Sequence, residues 1–199
     1  MGGTFDPPHL AHVIPVEIAA SEFSLDVVWF VPALIPPHKQ NKDRTDPFHR
    51  TSMLALALRR YPSFKISTLE LSRGDVSFTI DTIHAFLSKL NTEDRLFFIM
   101  GSDSFLELHT WYQPAELLTS CQLIIISRGA SKGELRKNLE QLEISLQLNL
   151  KNEIHFASAP YLPYSSTEIR NKIQQGESVS AMLNREVETY IRKHSLYRR

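Results

Sequence analysis

Two stretches of this chain are apolar at consecutive positions: Val27, Val28, Trp29, Phe30 and Val31 near the start, and Leu123, Ile124, Ile125 and Ile126 further on. A strand with one face in water alternates apolar and polar residues, so short unbroken runs of this kind belong to strands covered on both faces. Such strands pair in parallel, and a parallel pair needs a crossover, usually a helix. Five strands are predicted on this basis, at Asp26–Val31, Phe64–Thr68, Arg95–Met100, Gln122–Ser127 and Glu153–Ala157. Interleaved with helical patterns, they predict an α/β fold with a doubly wound parallel sheet and helices on both faces. The 199 residues suit one domain, and no repeat, low-complexity tract or long linker divides residues 1–199.

The helices are marked by their ends as much as by their periodicity. Asp46 followed by Pro47 makes an N-cap and first-turn pair, and Met53, Leu54, Leu56, Ala57 and Leu58 carry the apolar side to a stop near Tyr61 and Pro62. Thr79–Leu90 places Ile80, Ile83, Phe86, Leu87 and Leu90 on one face. Ser165 or Ser166 caps a helix running through Ile169 and Ile173 to Gly176, and a last helix spans Arg185–His194. Proline deep inside a helix costs about 3 kcal/mol, so Pro15 predicts that the first helix begins close to His12. The most loop-like stretches are Pro32–Thr45 and Ser127–Gly133. Open parallel sheets bind ligands beyond the carboxyl ends of their strands, so Pro32–Thr45, which follows a strand directly, is a candidate wall of a site.

Composition narrows the function. Lys plus Arg number 22 and Asp plus Glu number 22, so the formal net charge is zero and no global field gathers polyanions; nucleic-acid binding is not expected. The apolar runs are broken by proline or polar residues well short of the ~20 residues of a membrane span, so no membrane association is expected. The opening Met1-Gly2-Gly3-Thr4-Phe5-Asp6 has none of the marks of a secretory signal. A single cysteine, Cys121, reads as a packed core thiol and fits a reducing, cytoplasmic compartment.

Three segments concentrate groups that hold phosphates. In Gly2-Gly3-Thr4-Phe5-Asp6-Pro7-Pro8-His9-Leu10-Ala11-His12, glycines allow close backbone approach and two histidines precede an apolar helical pattern. Pro36-Pro37-His38-Lys39 sets a point charge on a proline-stiffened loop. Ser165-Ser166-Thr167-Glu168-Ile169-Arg170 puts hydroxyls and open backbone N–H groups at a helix start, with an arginine one turn on.

In this order the three segments resemble the HxGH nucleotidyltransferase superfamily, marked by a Gly-Gly-Thr-Phe-Asp-Pro loop, two histidines spaced by three and a later Ser-x-Thr-x-x-Arg. Within it the chain is most similar to the bacterial nicotinate-nucleotide adenylyltransferase family, because Pro36-Pro37-His38-Lys39, Ser77-Phe78-Thr79-Ile80-Asp81-Thr82 and Gly101-Ser102-Asp103 with Thr110-Trp111 also match. The resemblance runs from Gly2 to Arg170. It implies a Rossmann-like sheet and transfer of AMP from ATP to nicotinate mononucleotide, with release of pyrophosphate. His12, His9, Lys39 and Arg170 are the catalytic residues it implies, with His12 on the α-phosphate. Gly2, Gly3, Thr4, Phe5, Gly101, Asp103, Ser165 and Thr167 are implied to bind ATP, and Thr79, Asp81 and Trp111 the mononucleotide. Mg²⁺ is implied to travel on the ATP phosphates without dedicated protein ligands. A homo-oligomer is compatible with the family pattern.

Two departures stand inside the fingerprint. Ala11 occupies the place of the usual glycine between the histidines, which adds a methyl group. Only Met1 precedes Gly2, where the family carries a short hydrophobic strand, so the first strand is expected to be truncated. Loss of a buried strand would strip backbone partners from its neighbours, which leads to the expectation that the sequence starts late and lacks about 5 residues, one mean strand. N-terminal mass spectrometry of the protein made from its own locus decides that point. Three rival functions share the histidine pair: phosphopantetheine adenylyltransferase, cytidylyltransferase and a nucleotide-binding remnant without catalysis. His9 and His12 alone could also be metal ligands, but spacing supplies no third ligand and no protein metal site is expected.

Overall fold

The computed structural model describes residues 1–35, 44–127, 129–150 and 153–198. Two parallel three-stranded sheets form its centre, ordered β1-β2-β3 and β4-β5-β6. In the first, β1 (Gly2–Gly3) pairs with β2 (Val28–Pro32) and β2 with β3 (Phe64–Ile66), with Gly2 opposite Val31 and Val28 opposite Phe64. In the second, β4 (Phe97–Gly101) pairs with β5 (Gln122–Ile126) and β5 with β6 (Ile154–Ala157), with Phe97 opposite Gln122 and Leu123 opposite Ile154.

The unbroken run Leu123–Ile126 shows why the fold has helices on both faces. Ile124 and Ile126 pack among α1 (Leu10–Glu22), α2 (Pro47–Leu58), α8 (Ser166–Gln174) and α9 (Arg185–Lys193). Leu123 and Ile125 point the other way, among α4 (Thr79–Leu87), α5 (Ser102–Leu106), α6 (Pro114–Ser120) and α7 (Lys132–Leu146). All four side chains are buried, and each contributes about 1.5–3 kcal/mol by leaving water. The short α3 (Leu69–Arg73) stops at Gly74, whose φ of 80° provides the left-handed turn. Cys121 is buried as expected, and burial pushes its thiol up to about 12.

Several element boundaries differ from the sequence expectation, three of them in the helices and loops. Helix α1 begins at Leu10, two residues ahead of His12, with Pro15 inside it. Its first turn finds partners that propensity does not see: the Leu10 N–H donates to the Met182 carbonyl (3.0 Å), the His12 N–H to the His9 carbonyl (2.8 Å), and the His9 N–H to His12 Nδ1 (3.2 Å). Pro15 removes one i→i−4 bond from a helix that tertiary contacts already hold. Helix α4 ends at Leu87 rather than Leu90. Part of the stretch read as loop at Ser127–Gly133 is already helical, because the Ser131 side chain accepts the Glu134 N–H (3.1 Å) and starts α7 at Lys132.

Strand β1 is two residues long. Met1 carries its ladder one step further: the Met1 amino group donates to the Trp29 carbonyl (3.1 Å) and the Val31 N–H to the Met1 carbonyl (2.9 Å). A groove of about 590 Å³ is lined by Met1 and Gly2, by Val28 and Trp29 of β2 and by Phe97, Phe98 and Ile99 of β4.

Candidate active site

A cleft of about 380 Å³ opens at the carboxyl ends of β1 and β4, where the strand order reverses. Crevices at such switch points are where open parallel sheets take ligands. The cleft is built from three distant parts of the chain: Gly2 to Asp6 with His9 and His12; Gly101, Asp103, Ser104 and Trp111; and Ser165, Ser166, Thr167 and Arg170. Two residues expected to meet phosphate, His12 near the start of the chain and Arg170 near its end, therefore face one cavity.

The opening loop is shaped by its aromatic residue. Phe5 has a φ of 51° and is buried, with its ring edge-on to the His12 ring at 5.2 Å. A Cβ at Gly3 would stand 3.0 Å from that ring, so any side chain there would crowd the seat of Phe5. The Phe5 residue lines the cleft while its ring serves the core, holding His12 in place. His9 and His12 stack with ring centroids 3.7 Å apart. Because His12 Nδ1 accepts the His9 N–H, neutral His12 carries its proton on Nε2, the form that can donate to an oxyanion.

Helix α8 aims its N-terminus at the same space. Ser165 caps it, accepting the Glu168 N–H (3.1 Å), and Ser166 Oγ donates to the Pro7 carbonyl (2.9 Å), which ties the helix to the opening loop. Arg170 Nη1 donates to the Asp6 carbonyl (2.7 Å) and Nη2 to Thr167 Oγ1 (3.4 Å). The helix dipole and this guanidinium favour an anion here.

The remaining expectations divide. Trp111 lines the cleft, edge-on to Phe98 at 6.3 Å. Thr79 and Asp81 are not among the cleft residues. Thr79 lies on the adjoining groove, which shares Met1, Gly2, Phe98 and Ile99 with the cleft, and Asp81 pairs with Arg73 at 3.3 Å. Ala11 is not among the lining residues either, so its methyl group does not narrow the cavity. Pro36, Pro37, His38 and Lys39 lie outside the described residues.

Sequence reasoning missed Arg44, Ser104 and Tyr164 on the cleft wall, and Arg50 behind it. Arg50 is 1% exposed and donates from Nε to the Thr45 carbonyl (3.0 Å) and from Nη1 to the carbonyls of Thr4 and Ala33 (both 2.8 Å). It thereby pins the opening loop to both flanks of the stretch between β2 and α2. Burial lowers its pKa from the ordinary arginine value, and Asp6 acts in the opposite sense. A signal was present: position 50 shares a helical face with Met53, Leu54, Ala57 and Leu58, and a charge on an apolar face demands buried partners.

A doubly wound parallel sheet with a cation-lined cleft at its switch point defines a nucleotide-binding α/β protein, and comparison with known proteins narrows the class. Residues 1–172 match the cytidylyltransferase-like family model. The chain is 38% identical to a probable nicotinate-nucleotide adenylyltransferase of Thermoanaerobacter sp., over all of this chain and 93% of that protein. It is 36% identical to the nicotinate-nucleotide adenylyltransferase of Bacillus subtilis, over 98% and 95% of the two chains. Among solved structures, Plasmodium falciparum nicotinic acid mononucleotide adenylyltransferase complexed with APC superposes with a TM-score of 0.76 at 20% identity, covering 98% of this chain and 94% of that one. The chain belongs to the nicotinate-nucleotide adenylyltransferase family, within the cytidylyltransferase-like proteins.

Proposed function

We propose that this chain transfers AMP from ATP to nicotinate mononucleotide, forming nicotinate adenine dinucleotide and pyrophosphate. The observation that carries this reading is the convergence of His12, the N-terminus of α8 and Arg170 on one cleft. A phosphate oxygen of the mononucleotide attacks the α-phosphorus of ATP, and the bond from that phosphorus to the bridging oxygen of pyrophosphate breaks. The nucleophile is already an anion, so catalysis rests on alignment and charge stabilisation, with no covalent enzyme intermediate.

His12 Nε2 donates to the α-phosphate as negative charge builds, and His9 supports the stacked pair. The α8 N-terminus with Ser165, Thr167 and Arg170 grips the β- and γ-phosphates, and Lys39 adds a point charge for them. Gly2, Gly3 and Thr4 let the backbone approach the phosphates, Gly101 and Asp103 take the adenosine ribose, and Trp111 stacks on the nicotinate ring. Thr79, on the groove that adjoins the cleft, acts at the edge of the mononucleotide site, with Asp81 behind it, paired to Arg73. Among the described residues no cluster of three or more His, Cys, Asp or Glu side chains could hold a metal ion. The Asp6 carboxylate in the cleft is already taken by Tyr197 and Thr45. This donor set fits Mg²⁺ held by the ATP phosphates, where its charge would ease departure of pyrophosphate.

No described helix is long and apolar enough to cross a membrane, and the reading places the enzyme in the cytoplasm, with ATP and the mononucleotide as its partners. The test is pyrophosphate release from ATP and Mg²⁺ with nicotinate mononucleotide, nicotinamide mononucleotide or phosphopantetheine as acceptor. Release with the first acceptor is expected. Release only with phosphopantetheine, or ATP binding without release, would replace this reading by one of its rivals.

A further inference from the structure

The opening loop contains a carboxylate that is wrongly placed for a polyphosphate site. Asp6 is 4% exposed and lines the cleft, with its carbonyl bonded to the Arg170 guanidinium. A buried negative charge there would repel ATP phosphates and compete with them for Arg170 and Arg44. Hydrogen-bond donors hold the carboxylate in place, within electrostatic reach of the Arg50 guanidinium. Tyr197, in the chain's last turn, donates its hydroxyl to Asp6 Oδ1 at 2.6 Å, and the Thr45 N–H donates to Oδ2 at 3.2 Å. Burial, then the Asp6 charge, raises the Tyr197 pKa well above its ordinary value, which keeps the phenol a donor at every working pH. Tyr197 reaches this position with a φ of 63°, a left-handed backbone that a non-glycine residue rarely adopts.

The same aspartate ties the opening loop to two other parts of the chain, α8 and the segment before α2. Its carbonyl receives Arg170 from α8; its carboxylate receives Thr45, whose own carbonyl is held by Arg50; and its backbone leads into Pro7, which accepts Ser166. We propose that Tyr197 is a positioning residue for the nucleotide site: its hydroxyl, hydrogen-bonded to Asp6, holds that carboxylate and with it the opening loop in place, so that Arg170 and Arg44 keep their places on the cleft wall. None of the residues expected from the sequence to bind nucleotide lies beyond Arg170, yet on this account a tail residue sets the affinity for ATP.

The proposal rests on the cleft binding ATP, and it is tested without depending on the acceptor. Binding of a non-hydrolysable ATP analogue with Mg²⁺ is measured by calorimetry for the wild type, Tyr197→Phe and Tyr190→Phe, well below the lowest melting midpoint. Tyr190 is the control, since its hydroxyl bonds His49 (2.9 Å) between α2 and α9, away from the cleft. Tyr197→Phe is expected to weaken analogue binding and raise the KM for ATP by roughly tenfold, the scale of one lost hydrogen bond to a charged group, while Tyr190→Phe stays near wild type. Binding and KM for Tyr197→Phe within about twofold of wild type overturn the proposal. Asp6→Ala, with and without Tyr197→Phe, guards against a single variant that fails to fold. With the acceptor removed, the tyrosine substitution should change affinity little; an undiminished loss in that background shows that the hydroxyl acts without Asp6 and also overturns the proposal. A wild type that binds the analogue but transfers no AMP to the mononucleotide would sink the proposed reaction and leave this test readable.

Discussion

His12 is held from three sides: by the Phe5 ring, by the His9 ring and by the His9 N–H on Nδ1. A donor fixed so firmly needs no reorganisation when charge develops on the α-phosphate, and that is the condition under which one hydrogen bond contributes most to a rate. His12→Ala should therefore lower kcat by about 10² or more, with a much smaller change in the KM for ATP, since the interaction grows with the transition state. Initial-rate kinetics on a variant whose melting midpoint has been checked decide this. Turnover at the wild-type rate would remove His12 from the chemistry.

At the scale of elements, two helices invite comparison because each is nine residues long and capped in a similar way. Ser165 caps α8 and Asn184 caps α9, accepting the N–H groups of Glu168 and Glu186 respectively. Only the first of these helix ends faces the cleft. Alanine at either cap should cost about 1 kcal/mol of stability. Ser165→Ala alone should also raise the KM for ATP, because it disorders N–H groups aimed at phosphate. Chemical denaturation with kinetics on both variants tests the pair, and equal effects on KM would show that α8 does not serve the ligand. The α8 cap was readable in advance, as were all five long strands, because local chemistry decides them: buried apolar runs, an Asp-Pro start, a Ser-Ser-Thr cap. The true start of α1 was not, because its donors are satisfied by His9, His12 and the Met182 carbonyl, the last contributed from far along the chain. Asp6 and Tyr197 escaped for the same reason. Nothing in the local pattern at either residue announces the other, and Arg50 could be seen as a misplaced charge while its three carbonyl partners could not.

At the scale of the molecule, no ladder of backbone hydrogen bonds joins the two three-stranded sheets among the described residues. They are held together by packing. The core that α1 enters with Val13, Val16 and Ala19 includes Phe30 of the first sheet and Ile99, Ile124 and Ile126 of the second. The cleft spans the same junction, so a nucleotide lying in it touches the ends of β1 and β4 and the start of α8 at once, groups that come together only in the folded chain. Such a ligand stabilises the native state by mass action. At about 100 times its dissociation constant it adds about 2.7 kcal/mol. A domain of this size gains about 2–4 °C per kcal/mol, so saturating ATP with Mg²⁺ should raise the melting midpoint by about 5–10 °C. Arg170→Ala should lose most of that shift, because it removes both the guanidinium and its bond to the Asp6 carbonyl. A midpoint unmoved by ATP at concentrations that support pyrophosphate release would show that the nucleotide binds elsewhere than at this junction.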